Sequence, residues 1–222
     1  MSSPIAEQAP QRADTSGTRC VILSVAERLF REIGYRKTTV ADIAKSLRMS
    51  PANVYRFFES KKAINEAVAD SLLSGMEAEL SAIAVRPGAS ATERLAEFVR
   101  ALNRLSTERF TSERRMHEMV EVAMTESWQV IHRHISRIDD MLCRLVADGA
   151  RSGEFQVEDP MVAARCVHAA IIRFCHPGLI VQCADEPGPD LEDMISFLLR
   201  GLRDGGAPWR SGNRREALGQ VS

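Results

Sequence analysis

The chain has no apolar run near the roughly 18 residues that a membrane-spanning helix needs, and its first residues, MSSPIAEQAP, have neither the charged nor the apolar region of a secretory signal. These absences predict a cytoplasmic protein with no membrane partner. Charge of one sign is missing too: 29 Lys and Arg stand against 30 Asp and Glu, for a formal net charge of −1. That balance excludes a uniformly basic coat for nucleic acid, although not a local basic patch. There is no GxSxG, no HExxH and no phosphate-cradling glycine loop, and carboxylates such as Glu118 and Glu121 read as a solvated face. The reading is therefore of a protein that is not an enzyme, with no catalytic residues, no cofactor and no metal. Aromatic residues are few, at 5%, and no alternating apolar and polar stretch long enough for a strand appears.

Paired cysteine hooks are also lacking. Cys20, Cys143, Cys166, Cys175 and Cys183 form an odd set without a CxxC, set among helix-periodic apolar residues, so buried reduced thiols are expected. A zinc or redox site built from Cys166, Cys175, Cys183, His168 and His176 is the alternative, but only Cys175 and His176 are adjacent. Of the remaining histidines, His132 and His134 fall on different faces of one helix, and they and His117 read as surface or satisfied polar groups.

What is present is an uneven distribution. Residues 1–62 hold 11 Lys and Arg against 6 Asp and Glu, a net of +5; residues 63–222 carry a net of −6. All four lysines, Lys37, Lys45, Lys61 and Lys62, lie in the first part. Such a split points to a small module that binds a polyanion, joined to a larger acidic body. A charged face that only meets solvent has the same composition.

Helical periodicity organises the rest into an all-α chain of about nine helices. Residues 1–17, with Pro4, Pro10, Gly17, several Ser, Thr and Gln and no apolar period, read as a disordered arm. Ile22, Val25, Ala26, Leu29, Phe30 and Ile33 make one helical face, which Gly34 ends. Thr39 with Asp42 three residues on predicts a capping box over the short helix of Val40, Ile43, Ala44 and Leu47. Ser50 followed by Pro51 opens a third helix, with Val54, Phe57 and Phe58 turned inward. Ser60 caps a long helix over 60–84, which Pro87-Gly88 follows, and further helices are expected near 90–109, 112–123, 126–152, 160–182 and 190–203. Pro177 should kink or interrupt the helix of 160–182. The expected domains are a reading module at 18–62, linked by the helix of 60–84 to a body at 63–204, with a flexible tail at 205–222.

The segment Thr38–Phe58 has the helix-turn-helix layout, in which the second helix lays its N-terminal residues on base edges in the major groove of double-stranded DNA. Pro51, Ala52, Asn53, Tyr55 and Arg56 remain outward. Asn53 can pair with adenine, Arg56 can reach guanine or a phosphate, and Pro51 or Ala52 can touch a thymine methyl. Lys61 and Lys62 sit in the first turn of the next helix, where the dipole disfavours cations, so a role as a phosphate clamp is expected of one of them.

The run GYRKTTVADIAKSLRMSPANVYRFFESKKAI, Gly34 to Ile64, resembles the DNA-binding domain of the TetR family of bacterial transcriptional regulators. The resemblance rests on Gly34, Tyr35, Thr38, Thr39, Val40, Ile43, Ala44, Ser50, Tyr55, Phe58 and Lys61 and covers about residues 18–70. It implies that Thr39 touches phosphate, that Ser50 to Arg56 supply base and backbone contacts, and that Tyr55 and Lys61 grip phosphates. Phe57 departs from the histidine or lysine that many members place before the aromatic matched by Phe58. The resemblance further implies a homodimer through the last two helices, about 160–182 and 190–203, reading a near-palindromic operator. Val162, Cys166, Ala169, Ala170, Ile172, Phe174, Leu191, Ile195, Leu198, Leu199 and Leu202 give those helices the apolar surface.

A small apolar or aromatic effector that releases a repressor from its operator is a further expectation. Phe98, Leu102, Leu105, Phe110, Met116, Met119, Met124, Trp128 and Phe174 are the candidate pocket residues, although the same residues make an ordinary helical core. The alternative to a specific regulator is an architectural or protein-interaction module without sequence preference or effector.

Overall fold

The computed structural model describes residues 15–108, 122 and 129–205. Among these the secondary structure is helical throughout, in nine helices: α1 (Thr15–Ile33), α2 (Val40–Ser46), α3 (Pro51–Tyr55), α4 (Lys61–Ala84), α5 (Ala91–Ser106), α6 (Gln129–Ser152), α7 (Pro160–Cys175), α8 (Pro177–Gln182) and α9 (Leu191–Asp204). No helix among the described residues is long and apolar enough to cross a membrane. The chain divides into two compact units, the first holding described residues 15–73, 122 and 129–131, the second 74–108 and 132–205.

In the first unit, Ile22, Ala26, Leu29 and Phe30 on α1 are buried along with Ile43 and Ala44 on α2, Val54 on α3, Phe58 after it and Ile64 on α4. Helix α1 begins at Thr15, inside the stretch expected to be an arm. The Thr, Ser and Gly there read as loop residues, yet they form its first turn. Gly34 ends it as expected, at φ 90°, where any residue with a Cβ is strained, and its N–H donates to Phe30 O at 3.1 Å.

The second unit packs α5, α7 and α9 on one another around Leu95, Phe98, Val99, Leu102, Val167, Ile171 and Ile195. The expected helix of 160–182 is two helices. Pro177 has no N–H to continue the ladder, so α7 stops at Cys175 and His176, at φ −80° and ψ 118°, caps α8 by accepting from Leu179 N with its Nδ1. Polar side chains tie the unit at several points. Glu154 accepts from Ala91 N at 2.9 Å and Thr92 N at 2.8 Å, so one carboxylate satisfies two free donors at the start of α5. Arg94 Nη1 donates to Ala84 O at 2.6 Å and pairs with Asp148 Oδ2 at 3.0 Å. Glu77 is shared between His134 Nδ1 at 2.8 Å and Arg137 Nη1 at 2.6 Å, and His168 Nδ1 lies 2.6 Å from Asp139. Burial pulls His134 below the usual histidine value, with Glu77 opposing it.

Candidate nucleic-acid interface

Each short helix of the reading segment is held by its own cap. Thr39 Oγ1 accepts from Asp42 N at 3.2 Å, while the Asp42 carboxylate accepts from Thr39 N at 2.8 Å and from the Thr39 hydroxyl at 2.7 Å. Those bonds hold the Asp42 carboxyl below its usual range, the Thr39 hydroxyl first among the causes. Helix α2 ends in a Schellman motif: Met49 N donates to Ala44 O at 2.9 Å and Arg48 N to Lys45 O at 3.1 Å. The residue in the left-handed position of this motif is Arg48, at φ 54°, where glycine is the unstrained choice. Ser50 then accepts from Asn53 N at 3.3 Å, and Pro51 takes the first helical position of α3.

These turns leave one exposed face. Ser50, Pro51, Ala52, Tyr55 and Arg56 are exposed and Asn53 is half-buried, while Val54 and Phe58 point into the core. Phe57, expected inside, is half-buried instead. Arg56 Nη1 lies 3.4 Å from Asn53 Oδ1, so the two side chains best suited to base edges already touch. The Asn53 amide keeps both N–H groups for an acceptor such as adenine N7 while its oxygen faces the arginine. The unit also exposes Arg36, Lys37, Lys45, Arg48, Arg56 and Lys62.

Two expected contact residues are placed otherwise. Thr38 is fully buried, and its hydroxyl donates to Gly34 O at 2.8 Å, so this side chain closes the turn after α1 and has no route to DNA. Thr39 is the exposed member of the pair, with its hydroxyl proton directed at Asp42. Lys61 is half-buried: its Nζ donates to Tyr35 O at 2.8 Å and Arg36 O at 3.3 Å and sits 4.7 Å from the centre of the Tyr35 ring. Burial lowers its pKa from the usual lysine value, with the Asp42 charge acting against the shift. The cation at the helix N-terminus thus has a structural compensation, which removes the premise that the unfavourable dipole position has no gain in the fold. An ammonium has three N–H groups, so one remains for a phosphate.

Of the candidate pocket residues, Phe98 and Leu102 are buried in α5 with Leu105, and Phe174 is half-buried with its carbonyl accepting from Asn103 Nδ2 at 2.7 Å. Phe110, Met116, Met119, Met124 and Trp128 lie outside the described residues, as do the expected helix of 112–123 apart from residue 122, residues 1–14 of the arm and 206–222 of the tail. A gap lined by Leu95, Val99, Val167 and Ile195 has room for about one water molecule. Cys175 is buried and its thiol is pushed up to about 12 by that burial; Cys20 and Cys166 are exposed. Among the described residues no three Cys, His, Asp or Glu side chains converge as metal ligands do.

Two residues that the sequence pattern did not single out belong to this unit's geometry: Arg48, in the turn, and Arg19, whose Nη1 donates to Phe57 O at 2.9 Å. A left-handed arginine carries no sequence signal. The contact of Arg19 spans 38 residues, beyond any helical period.

A capped pair of short helices, the second outward and followed by an exposed arginine, is the form of a helix-turn-helix DNA reader. The family model described as "Bacterial regulatory proteins, tetR family" matches residues 22–68, and that described as "Tetracyclin repressor-like, C-terminal domain" matches residues 91–192. The chain belongs to the TetR family of bacterial transcriptional regulators, which are DNA-binding proteins and not enzymes. No curated protein sequence matches it. Among solved structures, a TetR/AcrR-family transcriptional regulator from Thermobifida fusca is similar at 24% identity and a TM-score of 0.62, over 86% of this chain and 99% of that one. SmeT, the repressor of the Stenotrophomonas maltophilia multidrug efflux pump SmeDEF, is similar at 22% identity and a TM-score of 0.60, over 84% and 88%. The fatty acid degradation regulator FadR from Bacillus halodurans is similar at 17% identity and a TM-score of 0.59, over 91% and 98%. At these identities the likeness is one of fold.

Proposed function

We propose that this DNA-binding regulator is a cytoplasmic homodimeric repressor that reads a near-palindromic operator through α3 and is released by a small apolar or aromatic effector. The observation that carries the reading is the outward face of α3, where Asn53 and Arg56 stand together between exposed Ala52 and Tyr55. Thr39, Ser50, Tyr55 and Lys61 are the proposed positioning contacts to phosphate, with Asn53 and Arg56 reading bases and Pro51 and Ala52 set against a thymine methyl.

One α3 reaches only a few base pairs, so a two-fold pair is needed for a site long enough to be specific. The proposed interface is the outer surface of α7, α8 and α9, where Ile172, Val181 and Phe197 are 40%, 51% and 67% exposed. An apolar surface of this kind is costly to leave in water, and a second copy would cover it. The effector is assigned to the body of residues 63–204, with Phe98, Leu102, Phe110, Met116, Met119, Met124, Trp128 and Phe174 as its proposed contacts. Its apolar character follows from those side chains. Release requires that the effector bind the DNA-incompetent arrangement more tightly, since equal affinity for both shifts nothing. Repression is likewise the role of one fold neighbour, SmeT.

The test is selection from a random duplex library by the full chain at low salt. A recovered palindrome, bound by two copies and released by a hydrophobic ligand found in a thermal-shift screen, is the expected result. Equal binding to the selected and scrambled duplexes would instead support a module without sequence preference.

A further inference from the structure

Helix α3 has five residues, too few to hold its direction by its own hydrogen bonds. Its orientation must come from contacts at its two ends and from its one buried side chain. Ser50 holds the start and Val54 the middle. At the far end the chain passes through Phe57 and Phe58, and there the fixing group comes from α1. Arg19 is exposed, yet its guanidinium carbon lies 4.1 Å from the centre of the Phe58 ring and its Nη1 donates to Phe57 O at 2.9 Å. Phe58 is itself 3% exposed, so the ring is a fixed platform. One planar cation therefore grips both the backbone where it leaves α3 and the aromatic anchor of that exit.

We propose that Arg19 is a positioning residue for the recognition helix: it sets the tilt of α3 against α1, and through that tilt the discrimination between base sequences, without touching DNA. The proposal rests on the DNA-reading function put forward above. A guanidinium suits the task because its face stacks on the ring while its edge donates to the carbonyl; an ammonium on the same stem is a point charge that has no plane to stack. Misdirecting a base-reading helix weakens the bidentate contacts that distinguish bases while leaving phosphate attraction, which depends mainly on charge, nearly intact. Loss of Arg19 thus has a signature different from loss of a phosphate contact.

The experiment uses the full chain as wild type, Arg19→Lys and Arg19→Ala, each bound to the duplex that the wild type selects and to its scrambled version across a salt series, with a thermal melt of each protein. The lysine variant keeps the charge and guards against an alanine variant that fails to fold. The expected result is that Arg19→Lys retains the wild-type salt slope and scrambled-site affinity within about twofold, while its preference for the selected duplex falls about tenfold. Arg19→Ala, where folded, should lose the preference at least as far. A lysine variant that matches the wild type, beside an alanine variant whose salt slope falls by about 1 with its preference intact, would make Arg19 a phosphate contact and overturn the proposal. An unchanged preference in both variants overturns it as well. If the wild type selects no duplex at all, the DNA-reading function itself fails, and the role of Arg19 falls with it.

Discussion

Lys61 Nζ lies 2.8 Å from the Tyr35 carbonyl oxygen and 4.7 Å from the centre of the same residue's ring. A single ammonium thus joins the first turn of α4 to the turn after α1, and the Phe30 ring meets the Tyr35 ring edge to face with 5.8 Å between centres. The lysine is part of the frame of the reading unit.

Lys61→Met keeps most of the apolar stem and removes the donor from two carbonyls. Stability should fall by about 1 to 2 kcal/mol, the range for a hydrogen bond to a charged group that is partly solvated. Denaturant titration of both proteins checks this. An unchanged midpoint would mean that the ammonium leaves the Tyr35 and Arg36 carbonyls in solution.

The Asn65 side chain is fully buried, and among the described residues neither its Nδ2 nor its Oδ1 has a partner. Leucine has nearly the same shape with no polar atom to desolvate. Asn65→Leu should therefore stabilise the protein by about 1 to 3 kcal/mol, the usual cost of an unsatisfied buried group. A lower melting temperature would show that the amide does find a partner.

At Glu154 burial pushes the carboxyl up, but the N–H groups of Thr92 and Ala91, with the Thr92 and Ser152 side chains, outweigh it and hold the group at about 2 against an ordinary 4.5. The folded value lies below the unfolded one, so the stabilisation is complete above about pH 4.5 and is lost as the pH falls towards 2. Glu154→Gln should cost about 0.5 to 2 kcal/mol at pH 7, as the loss of a helix cap does. The difference from wild type should shrink on acidification. A constant difference between pH 7 and pH 3 would contradict the role of the charge.

Gly149 lies inside α6, where alanine ordinarily adds about 1 kcal/mol to stability. Here the Phe155 ring occupies the space that a Cβ would need. Gly149→Ala should therefore destabilise, by about 1 to 3 kcal/mol as overpacking does, and melting in parallel with a second helical glycine, Gly201, whose Cβ direction is open, supplies the control. A rise in both would mean that Phe155 moves aside at no cost.

The local frame of the reading unit was legible because caps are short-range: Thr39 with Asp42, Ser50 with Pro51 and Gly34 each act within a few residues, and all three stand where the pattern puts them. Pro177 was legible for the same reason. Contacts between distant residues were not. The dipole of α4 acts on Lys61 within one helix, whereas the carbonyls that accept from its ammonium lie 25 and 26 residues earlier. Thr38 and Thr39 are adjacent and chemically alike, and only the turn after Gly34 decides which one is buried. The candidate pocket was least legible, because Phe98 and Leu102 have the spacing of any helix core and a ligand leaves no period of its own.

Equilibrium binding of wild type and Asn53→Ala to the selected duplex, and to variants of it changed one position at a time, shows whether α3 reads base sequence. Affinity should fall steeply with salt for both proteins. Asn53→Ala should lose about 1 to 3 kcal/mol of discrimination at one position of each half-site and none elsewhere. Discrimination unchanged at every position by Asn53→Ala and by Arg56→Ala alike would contradict base reading by α3.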